Sequence, residues 1–268
     1  MKLFCRKLGE GPPIVILHGL YGSSDNWMSI ARKLSDTYTV FLPDQRNHGR
    51  SPHSMRHDYA EMTTDLEELV NEYITGKLIL LGHSMGGKTA ISFALRHPEL
   101  LASLIIADIS PFSRHPEDYK IEEAHTKILN LLLYTDIDSA GSREEAEQRV
   151  LAGLDDKRLA AFLLKSIFRN DSGKFAWRIN AQAIFNNLGK LMAGLTLPES
   201  ATSGVTGFPV LFIRGGNSDY LPENHFADVR ALFPAAEIHT LPETGHWLHA
   251  EKPDEFTAIV REFLDGNY

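Results

Sequence analysis

The sequence predicts an α/β fold of the doubly wound kind. Two patterns and their order carry that reading. The first is a series of short apolar runs: "PIVILHG" (13–19), "TVFLPD" (39–44), "KLILLGH" (77–83), "LASLIIADIS" (101–110) and "FPVLFIRGG" (208–216). Each is continuous rather than alternating, as expected of parallel strands covered on both faces. The second is a set of amphipathic stretches between them. Trp27, Ile30, Ala31 and Leu34 follow the i, i+3, i+4, i+7 rule, as do Tyr59, Met62, Leu66, Leu69, Val70 and Tyr73. A third helix runs from about Met85 to His97, where Pro98 stops it. Strand and helix alternate, which is the order of a parallel sheet with crossover helices.

The alternation breaks after residue 110. No strand-like run is read between 110 and 208, yet a structureless loop of that size does not fit a compact domain. Helix-period segments fill the gap at 121–134, 143–153, 156–169 and 178–192, and "TLPESATSGVTG" (196–207) reads as an exit linker. The expectation is a helical insertion over 112–204 and a core made of 1–111 and 205–268. The strand pattern then resumes, with a strand at 237–241 and a last helix near 253–265.

Composition narrows the function classes. The 268-residue chain carries a formal net charge of −8, which disfavours nucleic acid as a partner because phosphate binding wants a basic face. The one cysteine, Cys5, excludes an internal disulfide framework and reads as an apolar strand residue rather than a reactive thiol. The N-terminal stretch "MKLFCRKLGEGPP" has no secretory h-region, and no run approaches the ~20 apolar residues of a membrane span. A cytoplasmic monomer or small homo-oligomer is expected.

Chemistry enters at "LILLGHSMGGKTA". A glycine, any residue, Ser84, any residue and a glycine sit between a strand and a helix. A serine hydroxyl needs exposure, orientation and a base to act as a nucleophile. A sharp strand-to-helix turn supplies the exposure, and Gly82 and Gly86 leave it room. The N–H of Met85 then faces the place where an oxyanion forms. A phosphate-binding reading fails, because Lys88 follows Gly87 without the P-loop spacing. In "ILHGLYGSSDNW", His18 and Gly19 end a strand and open a loop, and the N–H of Leu20 is the second oxyanion donor by position. His18 reads as a loop-shaping hydrogen-bonder, and His83 as a neighbour of the elbow. In "PETGHWLHAEKPDEF", His246 follows a strand's C-terminal end, where ligands bind in open α/β sheets. It is the candidate general base, with His249 as a surface or pocket-wall residue.

Together "HGLYGSSDNW", "PDQRNHGRSP", "GHSMGGKTA", "ADISP", "WRIN" and "GHWLHAEKP" make the chain resemble the α/β-hydrolase superfamily over nearly its full length. Within it the likeness is to the bacterial YbfF-type esterases and related abhydrolase-domain proteins. The resemblance implies an α/β-hydrolase fold with a mostly parallel eight-stranded sheet, helices on both faces, and a helical cap inserted after the sixth strand. It implies hydrolysis of esters or thioesters and adds no metal or organic cofactor.

The acid of a Ser–His–acid triad remains to be chosen. In the superfamily it follows the sixth or the seventh strand. After the seventh the usual pattern is G-x-x-D, with a proline four residues later. In "LFIRGGNSDYLP", counting from Gly215 puts Ser218 at the aspartate position and Pro222 at the proline. Asp219 is one residue out of register, and a one-residue shift sends a side chain another way. After the sixth strand, "LIIADISP" presents Asp108, the position the resemblance favours. The expectation is a triad of Ser84, Asp108 and His246, with Ser218 either assisting the pair or forming a turn.

The expected activity is that of a serine carboxylesterase or thioesterase acting on small to medium acyl groups through an acyl-enzyme. A small-molecule ester or thioester is the expected partner. Trp177, Arg178 and Phe185 of the insertion are candidate pocket residues, although aromatic residues at helical spacing more often belong to a core. Rivals on the same fold are a menaquinone-pathway-type lyase, a carbon–carbon hydrolase and a ligand receptor.

Overall fold

The structure is a computed structural model that describes residues 1–112 and 119–267. The chain runs β1 (Cys5–Leu8), β2 (Pro13–Leu17), α1 (Met28–Leu34), β3 (Thr39–Pro43), α2 (Tyr59–Tyr73), β4 (Leu78–His83), α3 (Met85–Arg96) and β5 (Leu101–Ala107). An inserted segment follows: α4 (Tyr119–Tyr134), α5 (Arg143–Leu151), α6 (Lys157–Leu164), β6 (Ile167–Arg169), β7 (Phe175–Trp177) and α7 (Ala181–Met192). The chain then returns through β8 (Val210–Gly215), α8 (Phe226–Leu232), β9 (Ala236–Leu241), α9 (Leu248–Glu251) and α10 (Pro253–Asn267).

The main sheet has the order β1-β3-β2-β4-β5-β8-β9. Every pairing in it is parallel except β1 with β3. Alternate residues of each central strand feed opposite faces, as the two-residue side-chain period requires. Leu78, Leu80, Leu104 and Ile106 join a core with Leu66 and Leu69 of α2, Phe93 of α3 and Leu232 of α8. Ile79, Leu81, Ile105 and Ala107 join one with Ile30 and Leu34 of α1 and Phe256 and Val260 of α10. These strands are buried on both faces, which is why they read as unbroken apolar runs.

Three expectations need correction. The sheet has seven strands among the described residues rather than eight, because residues 1–12 supply one strand, β1, and a turn. The insertion therefore follows the fifth strand of the sheet, not the sixth. It is also not wholly helical: β6 and β7 form an antiparallel hairpin with Ile167 opposite Trp177. The helical reading of 156–169 ran past the true end of α6 at Leu164. Three-residue strands are too short to show alternation, but "NDSG" between "IFR" and "KFAW" was a hairpin signal. Asn170 closes that turn, its carbonyl accepting from Gly173 N–H and its side chain from the N–H groups of Ser172 and Lys174.

The inserted segment packs back onto the sheet's C-terminal end. Ile128, Leu129 and Leu132 of α4 and Ile184, Leu188 and Leu191 of α7 share a core with Leu20, Tyr21, Tyr59 and Met85. The buried amine of Lys88, on α3, donates to the Ala193 carbonyl at 2.6 Å just beyond α7. A cation at a helix C-terminus is favourable, so this contact ties the segment's exit to the helix that follows Ser84.

Candidate active site

Five strand ends deliver the site. Ser84 follows β4 with φ 54° and ψ −119°, a left-handed turn outside the helical region. The turn is possible because its flanks are glycines. A Cβ on Gly82 would fall 2.3 Å from the Gly86 carbonyl oxygen, and one on Gly86 2.5 Å from that of Leu17. No side chain fits there. Ser84 Oγ lies 2.9 Å from His246 Nε2, and His246 follows β9. Its Nδ1–H donates to Asp108 Oδ2 at 2.7 Å.

Asp108 follows β5 with φ 50° and is fully buried. Besides the imidazole it accepts from Gly215 N–H at 2.8 Å and from the Ser218 hydroxyl. The hydroxyl meets Oδ2, the oxygen that also receives His246, and its own oxygen accepts from Tyr220 N–H. Three donors converge on one buried carboxylate, which holds both its rotamer and the imidazole's tautomer. Asp219 is exposed and takes no part.

The loop after β2 is held from behind by buried imidazoles. His18 Nδ1–H donates to the Gly19 carbonyl at 2.9 Å, and its Nε2 accepts from Gln45 N–H at 2.9 Å. Gly19 C=O also accepts from Gly22 N–H at 3.0 Å. In a trans peptide the C=O and the next N–H point opposite ways, so this pinning turns the Leu20 N–H outward from His18. His48 Nδ1–H donates to the Arg46 carbonyl, and its Nε2 accepts from Tyr21 N–H at 3.1 Å. Tyr21 is thus committed to His48 at φ 64°, while the Leu20 and Met85 amides enter no turn or loop hydrogen bond among the described residues. Burial pushes His18 below the ordinary histidine pKa and His48 well below it, consistent with neutral acceptor rings.

A cavity of about 240 Å³ opens beside Ser84. Ile128, Leu159, Phe162 and Trp247 supply apolar wall, and Leu20, Tyr21, His125, Tyr220 and His246 also line it. Trp177, Arg178 and Phe185 are not among its lining residues, contrary to expectation. Trp177 packs between the insertion's own apolar cluster and the one that the insertion shares with the core. Arg178 lays its guanidinium over Phe168, 4.2 Å from the ring centroid. Phe185 is 39% exposed, because α7 buries the face of Ile184, Leu188 and Leu191, and residue 185 lies a hundred degrees round from it.

The residues that sequence reasoning missed are aromatic. Tyr220 stacks flat on His246, with centroids 3.4 Å apart and planes 15° apart. Its Oη lies 3.2 Å from His125 Nε2 on α4, and Tyr21 Oη lies 3.2 Å from His125 Nδ1. One histidine of the insertion thus bridges two core loops. Nothing local marked it, because a polar residue on an amphipathic helix looks like a solvent-facing one. Cys5 is half-buried, its thiol pushed up to about 12 by burial, which makes it unreactive. No group of three or more His, Cys, Asp or Glu side chains is placed to hold a metal ion among the described residues, and no helix there is long and apolar enough to cross a membrane.

A strand-end serine on a glycine-flanked elbow, a histidine and a buried aspartate define a hydrolase-type site on a doubly wound sheet. The family model for the α/β hydrolase fold matches residues 12–253, and the chain belongs to that family. It is similar to the sn-1-specific diacylglycerol lipase ABHD11 of Danio rerio, at 36% identity over 96% of this chain and 79% of that one. Esterase YbfF of Escherichia coli (strain K12) is 32% identical over 94% of this chain and 93% of its own. A solved structure of a marine microorganism esterase superposes with a TM-score of 0.92 at 41% identity, covering 98% of this chain and 99% of that one.

Proposed function

We propose that the protein is a serine esterase that cleaves ester and acyl-thioester bonds through an acyl-enzyme. The observation that carries the reading is the continuous contact from Ser84 Oγ through His246 to Asp108. Ser84 attacks the acyl carbonyl while His246 Nε2 takes its proton. Asp108 holds the imidazole's orientation and balances the imidazolium that forms. The N–H groups of Leu20 and Met85 stabilise the oxyanion, each donor contributing on the order of a hundred- to a thousand-fold in rate. His246 then protonates the departing alcohol or thiol and activates the water that releases the acid.

Residues 1–111 and 205–268 act as the hydrolase core, and 112–204 as a cap that roofs the cavity. The cavity's size and mostly apolar wall support small to medium acyl groups. The esterase and lipase names of the relatives point the same way. Ser84→Ala is expected to abolish turnover of p-nitrophenyl butyrate while leaving the far-UV circular dichroism unchanged. Full activity in that variant overturns the mechanism. A graded series of p-nitrophenyl esters and acyl thioesters then fixes chain length and leaving group.

A further inference from the structure

We infer that the cavity contains a polar subsite beside Ser84, formed by His83 and His249, which receives a hydroxyl group of the substrate. The inference rests on the esterase reading above and adds a substrate class to it. His83 Nε2 lies 2.8 Å from the backbone carbonyl of His246. A carbonyl can only accept, so Nε2 carries the proton and Nδ1 the lone pair. No hydrogen bond reaches that Nδ1 among the described residues, although His83 is 97% buried and lines the cavity. Gly19 packs against one side of this ring, where a Cβ would collide with His83 Nδ1 at 2.7 Å, and the cavity lies on its open side. His83 and Ser84 line the same cavity, side by side in the chain.

His249 forms the adjoining wall. Its ring lies flat on Trp27, with centroids 4.3 Å and planes 3° apart, and 4.4 Å from the ring of His83. It is 96% buried, it also lines the cavity, and its Nδ1 has no hydrogen-bond partner. Burial holds both rings well below the ordinary histidine pKa, so both are neutral. Two neutral imidazoles with unused hydrogen-bonding capacity are a poor wall for a hydrocarbon chain, which leaves a desolvated acceptor unpaired. Nothing in either ring balances a carboxylate or phosphate. A hydroxyl suits them, since it donates to His83 Nδ1 and brings no charge. Sites built to pair a buried polar group with a substrate hydroxyl discriminate strongly against the analogue that lacks it.

Two substrate pairs on the native protein test this. One is p-nitrophenyl 3-hydroxybutyrate against p-nitrophenyl butyrate, with the hydroxyl on the acyl side. The other is 2,3-dihydroxypropyl butyrate against propyl butyrate, with it on the leaving group. In one pair kcat/KM is expected to favour the hydroxylated member by tenfold or more. His249→Phe, which keeps the stack on Trp27, should cut that preference at least threefold, read as the ratio of the two esters within the same variant. Ratios within twofold of one in both pairs mean a merely hydrated gap and overturn the proposal, as does a preference that His249→Phe does not change. Loss of Ser84 dependence on p-nitrophenyl butyrate, by contrast, overturns the esterase reading itself.

Discussion

The ends of β5 and β8 each carry an aspartate, and only one of them meets the imidazole. Asp108 is fully buried, sits at φ 50°, and receives three hydrogen bonds. Asp219 lies one residue beyond the position that faces the site and stays in solvent. At that position stands Ser218, whose hydroxyl donates to Asp108. The two strands are neighbours and parallel, with Ala107 opposite Ile213, so both ends approach the same histidine. What separates them is backbone direction over a single residue. A carboxylate reaches the imidazole through register and convergent donors, not through proximity in the chain.

The sharpest way to break this comparison is Asp108→Asn. It keeps the shape but inverts the hydrogen bonding toward His246, and kcat on p-nitrophenyl butyrate should fall by roughly 10³ to 10⁴. A fall under tenfold assigns the acid elsewhere. The converse case, groups kept neutral by burial, is tested through stability. Burial lowers the pKa of His57 to about 3, and those of His18, His48, His83 and His249 also lie below the ordinary value. The unfolded chain then binds protons that the folded one refuses. Stability is full above the unfolded pKa of about 6.5 and falls as the pH drops below it, each such histidine contributing up to about 1.4 kcal/mol per pH unit. Urea midpoints at pH 7.5 and 5.0 should show the loss, and His57→Gln should lessen it. Equal midpoints in native and variant between those pH values would remove His57 from the account.

Smaller effects sharpen the comparison from the β8 side. Ser218→Ala removes one donor from Asp108 and should lower kcat by about tenfold, with KM near native, as the loss of one charge-assisted hydrogen bond predicts. An unchanged kcat reduces Ser218 to a turn residue. Asp219→Asn should stay within twofold of native in kcat/KM. Crippled turnover there, with Asp108→Asn active, would exchange the two roles.

Much of this was legible beforehand, for local reasons. The core strands announce themselves because a sheet buried on both faces demands unbroken apolar runs. The elbow does so because its crowding requires glycines at 82 and 86. The register argument that set Asp219 aside counts residues against the pattern of the family the chain resembles. The hairpin of β6 and β7 escaped because three-residue strands carry no period. The three insertion residues expected at the pocket lie away from the cavity beside Ser84 for a different reason. Phe185 is aromatic in a helix-period segment and Trp177 stands just before it, and that pattern does not tell which face the segment turns to the cavity.

By itself, then, the sequence determined the central strands of the sheet, the elbow serine and the candidate histidine and aspartates, since each depends on interactions within a few residues. The tertiary structure decided which groups meet. Tyr220 lies on His246, His125 of α4 joins Tyr21 to Tyr220, and the His246 carbonyl sets the tautomer of His83. These contacts join residues tens to more than a hundred positions apart. Their geometry comes from how the inserted segment and the strand ends pack, and no local pattern encodes that.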